Sequence, residues 1–217
     1  MAKKPSGKKA AAKKTAKKKA GGGTGDLPGK IIETAFALAL ERGWRDLSLA
    51  EIAESAGLTL SQVHGIYPSK AAVLGGFSAR VDAAMLGEAG EDLDLTARDR
   101  LFDVVMRRFD ALQPHREALG AILQDQMGDP LAVCCGLSRL RRSMATSLEA
   151  AGISSSGCRG VLRVKGLSAI YLSTLRVFLR DDSEDMAKTM AHLDKQLGRV
   201  DALIGRLRTY RPGHAAA

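Results

Sequence analysis

Two helix starts separated by a glycine turn constrain this chain more than anything else in it. Ser48-Leu49-Ala50-Glu51 has the capping-box pattern, in which the serine hydroxyl accepts from the N3 amide and the glutamate reaches back to the cap. The helix it starts is short, with Ile52 and Ala53 inward and Ala56 last, and Gly57 suits the sharp turn that follows. Thr59 then suits the cap of a further helix over 60–66. Upstream, Pro28 fits a first helical position and Gly43 an exit after Arg42. Between them Ile31, Ala35, Leu38 and Ala39 share one face. The spacing predicts a helix-turn-helix over 30–70, a unit whose second helix can lie in the major groove of DNA.

The remainder reads as helix throughout. Strand-like alternation is missing, aromatic residues are only 4% of the chain, and breakers cut it into helix-length pieces. The fold class is all-α: a three-helix helix-turn-helix domain over 26–86 and a larger helical domain over 96–209. Thr96 with Asp99 caps a helix to about Gln113, and later helices are expected over 116–127, 131–150 and 158–179. The last is expected to start after Ser183, with Glu184 and Asp185 at its positive end, and to run to about Arg208.

Charge divides the chain differently. It has 33 Lys+Arg against 24 Asp+Glu, and nine lysines fall within MAKKPSGKKAAAKKTAKKKA with no acid among them, so everything after that segment is formally neutral. Residues 1–25 lack large apolar side chains and are expected to be a disordered tail, as are residues 210–217. Lysines without fixed geometry hold polyanions without reading sequence, and DNA phosphate is the first polyanion to consider, ahead of RNA or an anionic membrane. The tail resembles the lysine/alanine-rich tails of linker histones in composition; a solubilising extension is the alternative. Neither a secretory signal nor a mitochondrial presequence fits this composition.

From ERG at the end of the first helix, through Leu49-Ala50-Glu51-Ile52-Ala53 and Ala56-Gly57-Leu58, to Tyr67-Pro68-Ser69-Lys70, the segment resembles the DNA-binding domain of the TetR family of bacterial repressors. The resemblance implies a homodimer binding double-stranded DNA. It marks Ser48, Thr59, Leu60, Ser61, Gln62, His64, Gly65, Tyr67 and Lys70 as the DNA-facing set, with Lys30 before it. Thr59 and Ser61 would take phosphate, Gln62 could read adenine, and Lys70 matches the family's phosphate-contacting lysine. His64 stands where the family usually has a tyrosine. Leu60 and Gly65 depart from the pattern, occupying places where polar or basic side chains are common, so the reading helix holds no Arg or Lys.

A second resemblance rests on RLFDVVMRRFDALQPHREAL (100–119) and SAIYLSTLRVFLRDDSEDMAKTMAHLDKQL (168–197). These stretches look like the mitochondrial accessory proteins of ubiquinone biosynthesis and their bacterial relatives, which share the TetR-like fold and bind isoprenoid lipid. Those mitochondrial proteins carry a membrane-seeking C-terminal helix, which TYRPGHAAA does not resemble. Either resemblance implies a cavity for a small apolar or isoprenoid ligand. The candidate lining is Met106, Phe109, Leu123, Met127, Leu140, Met144, Ile170, Tyr171 and Thr174, for which ordinary core is the competing reading. By the first resemblance, 158–179 and 184–208 pair with their copies in a dimer, with Leu162, Leu167, Ile170, Leu193, Leu197, Val200 and Leu203 compatible.

Catalytic signatures are missing from the sequence, and the chain is expected not to be an enzyme. His64, His115, His192 and His214 form no metal-ligand spacing, and Cys134-Cys135 lacks the gap of a zinc or redox pair. No phosphate loop or dinucleotide fingerprint is present, so neither metal nor cofactor is expected. Arg139, Arg141 and Arg142 form a basic cluster, read as a solvated face or as a contact for an anionic headgroup or flanking DNA. No apolar run is long enough for stable membrane insertion. The sequence thus suggests a ligand-responsive regulator in the bacterial cytoplasm, associated with the nucleoid. Its alternatives are a lipid-binding accessory protein of ubiquinone biosynthesis and an architectural protein acting through the tail alone.

Overall fold

A computed structural model describes residues 26–87 and 95–209, with side chains up to residue 203. The lysine tail, the segment 88–94 and residues 210–217 lie outside the described residues. The helices are α1 (Leu27–Arg42), α2 (Leu49–Ser55), α3 (Leu60–Ile66), α4 (Lys70–Gly87), α5 (Ala97–Leu112), α6 (Arg116–Gln126), α7 (Pro130–Ala150), α8 (Gly157–Phe178) and α9 (Ala187–Thr209). A 3₁₀ turn, Gln113–His115, joins α5 to α6. Among the described residues no strand occurs and no helix is long and apolar enough to cross a membrane.

Local chemistry sets most boundaries. Asp26 accepts from the Gly29 amide at the start of α1, Thr96 from Asp99 at α5, and Asp129 from Leu131 and Ala132 at α7. Gly57 takes φ +65 between α2 and α3, a conformation costly for residues with a Cβ.

The start of α9 departs from expectation. Glu184 and Asp185 precede the helix rather than opening it, and Asp181, which is almost fully buried, organises the entry. Its carboxylate accepts from the Ser183 amide and hydroxyl and from the Thr189 amide (2.8 Å) and hydroxyl (2.7 Å). Met186 is held there at φ 54 with its side chain buried.

One apolar cluster runs through the molecule, from Ile31 and Ile32 of α1 to Leu193 and Leu197 of α9. α4 is the element that makes it continuous. It packs on α1 at one side and on α5 and α7 at the other, using Val73, Leu74, Phe77, Val81 and Met85. α8 packs between α7 and α9, and α6 lies against α1.

Candidate nucleic-acid interface

α3 is anchored by one buried side chain, Val63. Leu60, Ser61, Gln62, His64 and Gly65 are all exposed around it. Both short helices are closed by full capping boxes. Ser48 and Glu51 bond reciprocally, and so do Thr59 and Gln62. The second box changes the reading of Gln62: its Oε1 accepts from the Thr59 amide (2.8 Å) and hydroxyl (3.0 Å), so the side chain folds back on its own helix start. Only its amino group remains to donate outward. At Gly65 an added Cβ would meet nothing within 4 Å, so the surface there is open. Tyr67 lies half-buried against α4, where its ring occupies the space a side chain at position 76 would need, and Gly76 permits that approach.

Lys70, matched by resemblance to a phosphate contact, is engaged within the chain. Its ammonium donates to the Trp44 and Arg45 carbonyls, both at 2.8 Å, and lies 5.6 Å from the centroid of the Trp44 ring. Burial pulls its pKa below the ordinary lysine value, against the pull of Asp46, Glu51 and Asp125. The residue buckles the 43–47 loop to the start of α4. Lys30, by contrast, is exposed on α1. α2 and α3 together carry Glu51 and Glu54 and no Lys or Arg, so the face has little attraction for phosphate of its own.

The same loop is gripped from the body. The Asp125 carboxylate, at the end of α6, accepts from the Trp44 amide (2.6 Å) and the Arg45 amide (3.3 Å). The Arg45 guanidinium returns a bond to the Asp125 carbonyl (3.2 Å). At the opposite end of α6 from this clamp, the rings of Phe36 and Phe77 pack edge-to-face with His115, at centroid distances of 5.6 and 5.2 Å from the imidazole. A cleft of about 430 Å³ opens there between α1 and the α5–α6 corner.

In the body, Met106, Phe109, Met144, Tyr171 and Thr174 are each buried, and Leu123, Leu140 and Ile170 are partly buried against the core. Met127 does not join them. It is 77% exposed at the C-cap of α6, where the chain turns to Asp129. Phe109 stacks on Tyr171 at 5.1 Å. Among these residues is a polar network that the sequence reading missed. Arg108, 5% exposed, donates to the Tyr171 hydroxyl (3.2 Å) and pairs with Asp82, to which Ser143 also donates. Burial pushes the Tyr171 phenol up, which keeps it neutral. Burial opposes the Arg108 charge, but the Tyr171 and Asp82 oxygens outweigh it and raise its pKa. The signal lay in the spacing: Val104, Arg108 and Leu112 fall on one face of an amphipathic helix. Of the apolar residues expected at a dimer surface, Leu167, Leu193 and Leu197 are core within the chain, and Ile170 is half-buried. Leu162, Val200 and Leu203 are exposed at 71%, 40% and 57%.

Compared with known families, residues 31–75 match the model of bacterial regulatory proteins of the tetR family, and residues 163–204 match the COQ9 model. A TetR transcriptional regulator from Nitrosomonas europaea superposes with a TM-score of 0.67 at 25% identity, covering 81% of this chain and 98% of its own. The fold is that of the TetR regulators. A TetR regulator from Rhodococcus sp. RHA1 has a TM-score of 0.57 at 17% identity, over 79% of this chain and 93% of its own. A tetR-family regulator from Streptomyces coelicolor gives 0.52 at 19%, over 85% and 92%. No curated protein matches. In this TetR-like fold, α2 and α3 are the helix-turn-helix, while the COQ9 match falls on α8 and α9.

Proposed function

We propose that the chain is a TetR-like DNA-binding transcriptional regulator, acting as a homodimer in the cytoplasm and responding to a small ligand bound by its C-terminal helices. The observation that carries this reading is α3: a helix closed by its own capping box, anchored by Val63 with Ile66 partly buried beside the core, and with Leu60, Ser61, Gln62, His64 and Gly65 presented outward. The Asp125 clamp joins this head to the body, so a shift of α6 would move the head. The exposed leucines of α8 and α9 suit a second copy. Ser61, His64 and the outward amino group of Gln62 are the polar groups α3 offers to DNA, Lys30 is exposed on α1, and Lys70 has partners within the chain. The tail's nine lysines would supply the phosphate affinity that α3 lacks.

A second reading, a lipid-binding accessory protein of the COQ9 kind, is favoured by the match over 163–204 and by the absence of cationic side chains on α3. Selection of genomic fragments by the full chain, at near-physiological salt with excess competitor DNA, separates the two. The regulator reading expects a shared palindromic site that is lost in the Ser61→Ala/His64→Ala double variant. If no fragment is enriched and native mass spectrometry of the purified protein shows a bound isoprenoid, the second reading replaces it.

A further inference from the structure

Everything after the tail sums to neutral, yet the charge of the folded body is segregated. α7 carries three arginines and α8 three arginines and a lysine, against a single carboxylate on the two helices, Glu149. That carboxylate is committed, accepting from the Ser155 amide at 2.6 Å. Between these helices a cleft of about 330 Å³ opens. From α7 it is lined by Ser138, Arg141, Arg142 and Ala145, whose spacing puts them on one helix face. Val161 and Val164 of α8 supply an apolar wall, and Ser155 closes it. Arg141 and Arg142 are exposed, and neither forms an ion pair among the described residues. Arg163 nearby is occupied by the Ser154 carbonyl at 2.9 Å.

We propose that this cleft binds a small amphiphilic anion: a carboxylate or phosphoryl group on a short aliphatic chain, with Arg141 and Arg142 on the headgroup and Ala145, Val161 and Val164 on the chain. Guanidinium forks match both headgroups in geometry, and two adjacent ones without a counter-carboxylate leave that demand to a ligand. The Ser155 amide is taken by Glu149, so the arginines are the headgroup's donors. The volume is near the lower end of the range of roughly 300–1,000 Å³ typical of small-molecule sites. The site is separate from the buried Phe109–Tyr171 core and from α3, and it does not depend on whether α3 reads DNA.

The test is calorimetric titration of the full chain with octanoate, octyl phosphate, octanol and inorganic phosphate. Because the lysine tail also attracts anions, the variant Arg141→Gln/Arg142→Gln is compared with Arg159→Gln/Arg176→Gln, which removes the same charge from exposed positions elsewhere. At least one octyl anion is expected to bind, its affinity falling about tenfold or more in the first variant and less than about twofold in the second. Octanol should not bind. Val161→Asp, at a residue 45% exposed, should weaken the octyl anion as well, and it carries the test if the double variant fails to fold. Equal losses in both double variants, inorganic phosphate binding as tightly as octyl phosphate, or no binding at millimolar concentration would each overturn the proposal. Which octyl anion is preferred identifies the headgroup.

Discussion

At the scale of single residues, the part-buried Asp82 and the buried Asp181 show how much rests on carboxylates that hold other groups. Removing Asp82 leaves Arg108 charged and 5% exposed beside a neutral phenol. Asp82→Ala is expected to destabilise the protein by about 3 kcal/mol, the cost of stranding one partner of a buried pair. A thermal melt measures it, and Arg108→Met on top of Asp82→Ala should restore much of the loss. For Asp181, burial raises the carboxyl pKa, but the bonds from Ser183 and Thr189 outweigh it and hold it at about 2, below its ordinary 3.8. A depressed folded pKa contributes stability above the unfolded value and loses it as pH falls. Asp181 should therefore contribute about 2 kcal/mol at neutral pH, lost as pH falls from about 4 to about 2, and Asp181→Asn should flatten stability across that window. At Gly65 the open surface makes Gly65→Lys a gain: DNA affinity should rise, and the slope of log K against log salt should steepen by about one per chain. Gel-shift titrations at several salt concentrations test this. The caps at Ser48 and Thr59 were legible in the sequence because each closes within three residues. The engagement of Lys70 with carbonyls 25 and 26 positions away was not, since nothing local in Tyr-Pro-Ser-Lys distinguishes a buckle from a phosphate contact.

Among the elements, helix starts followed from capping residues and helix ends from glycine and proline. α7 and α8 begin within a residue of where the sequence places them. α9 does not, because its entry is organised by a buried aspartate six residues upstream rather than by acids in its first turn. Equally hidden was the clamp between α6 and the loop after α1, whose partners lie 80 and 81 residues apart. Asp125→Ala removes the charged acceptor for two amides and is expected to cost about 2 kcal/mol locally. The readout is faster hydrogen exchange at the Trp44 and Arg45 amides, with α8 and α9 unchanged. If those amides stay protected, Asp125 is not what holds the loop.

For the molecule as a whole, neutrality after the tail concealed an uneven body, with a basic α7–α8 side balanced by acids elsewhere. A count of charges carries no information about where helices lie relative to one another, so this became visible only in three dimensions. The same holds for the proposed dimer surface: the resemblance to TetR regulators pointed to seven apolar residues, and the fold uses three of them for its own core. Leu162→Glu with Leu203→Glu should convert the proposed dimer to monomer in sedimentation analysis while leaving helix content intact, because both side chains are exposed within the chain. One further consequence follows from the clamp. The chain has a single tryptophan, Trp44, and it is buried where the Asp125 carboxylate, the Lys70 ammonium and the reading head converge. Its emission therefore comes from one place, the joint between head and body, so the protein carries its own optical reporter, and any molecule that loosens that joint should announce itself in the fluorescence spectrum without a label.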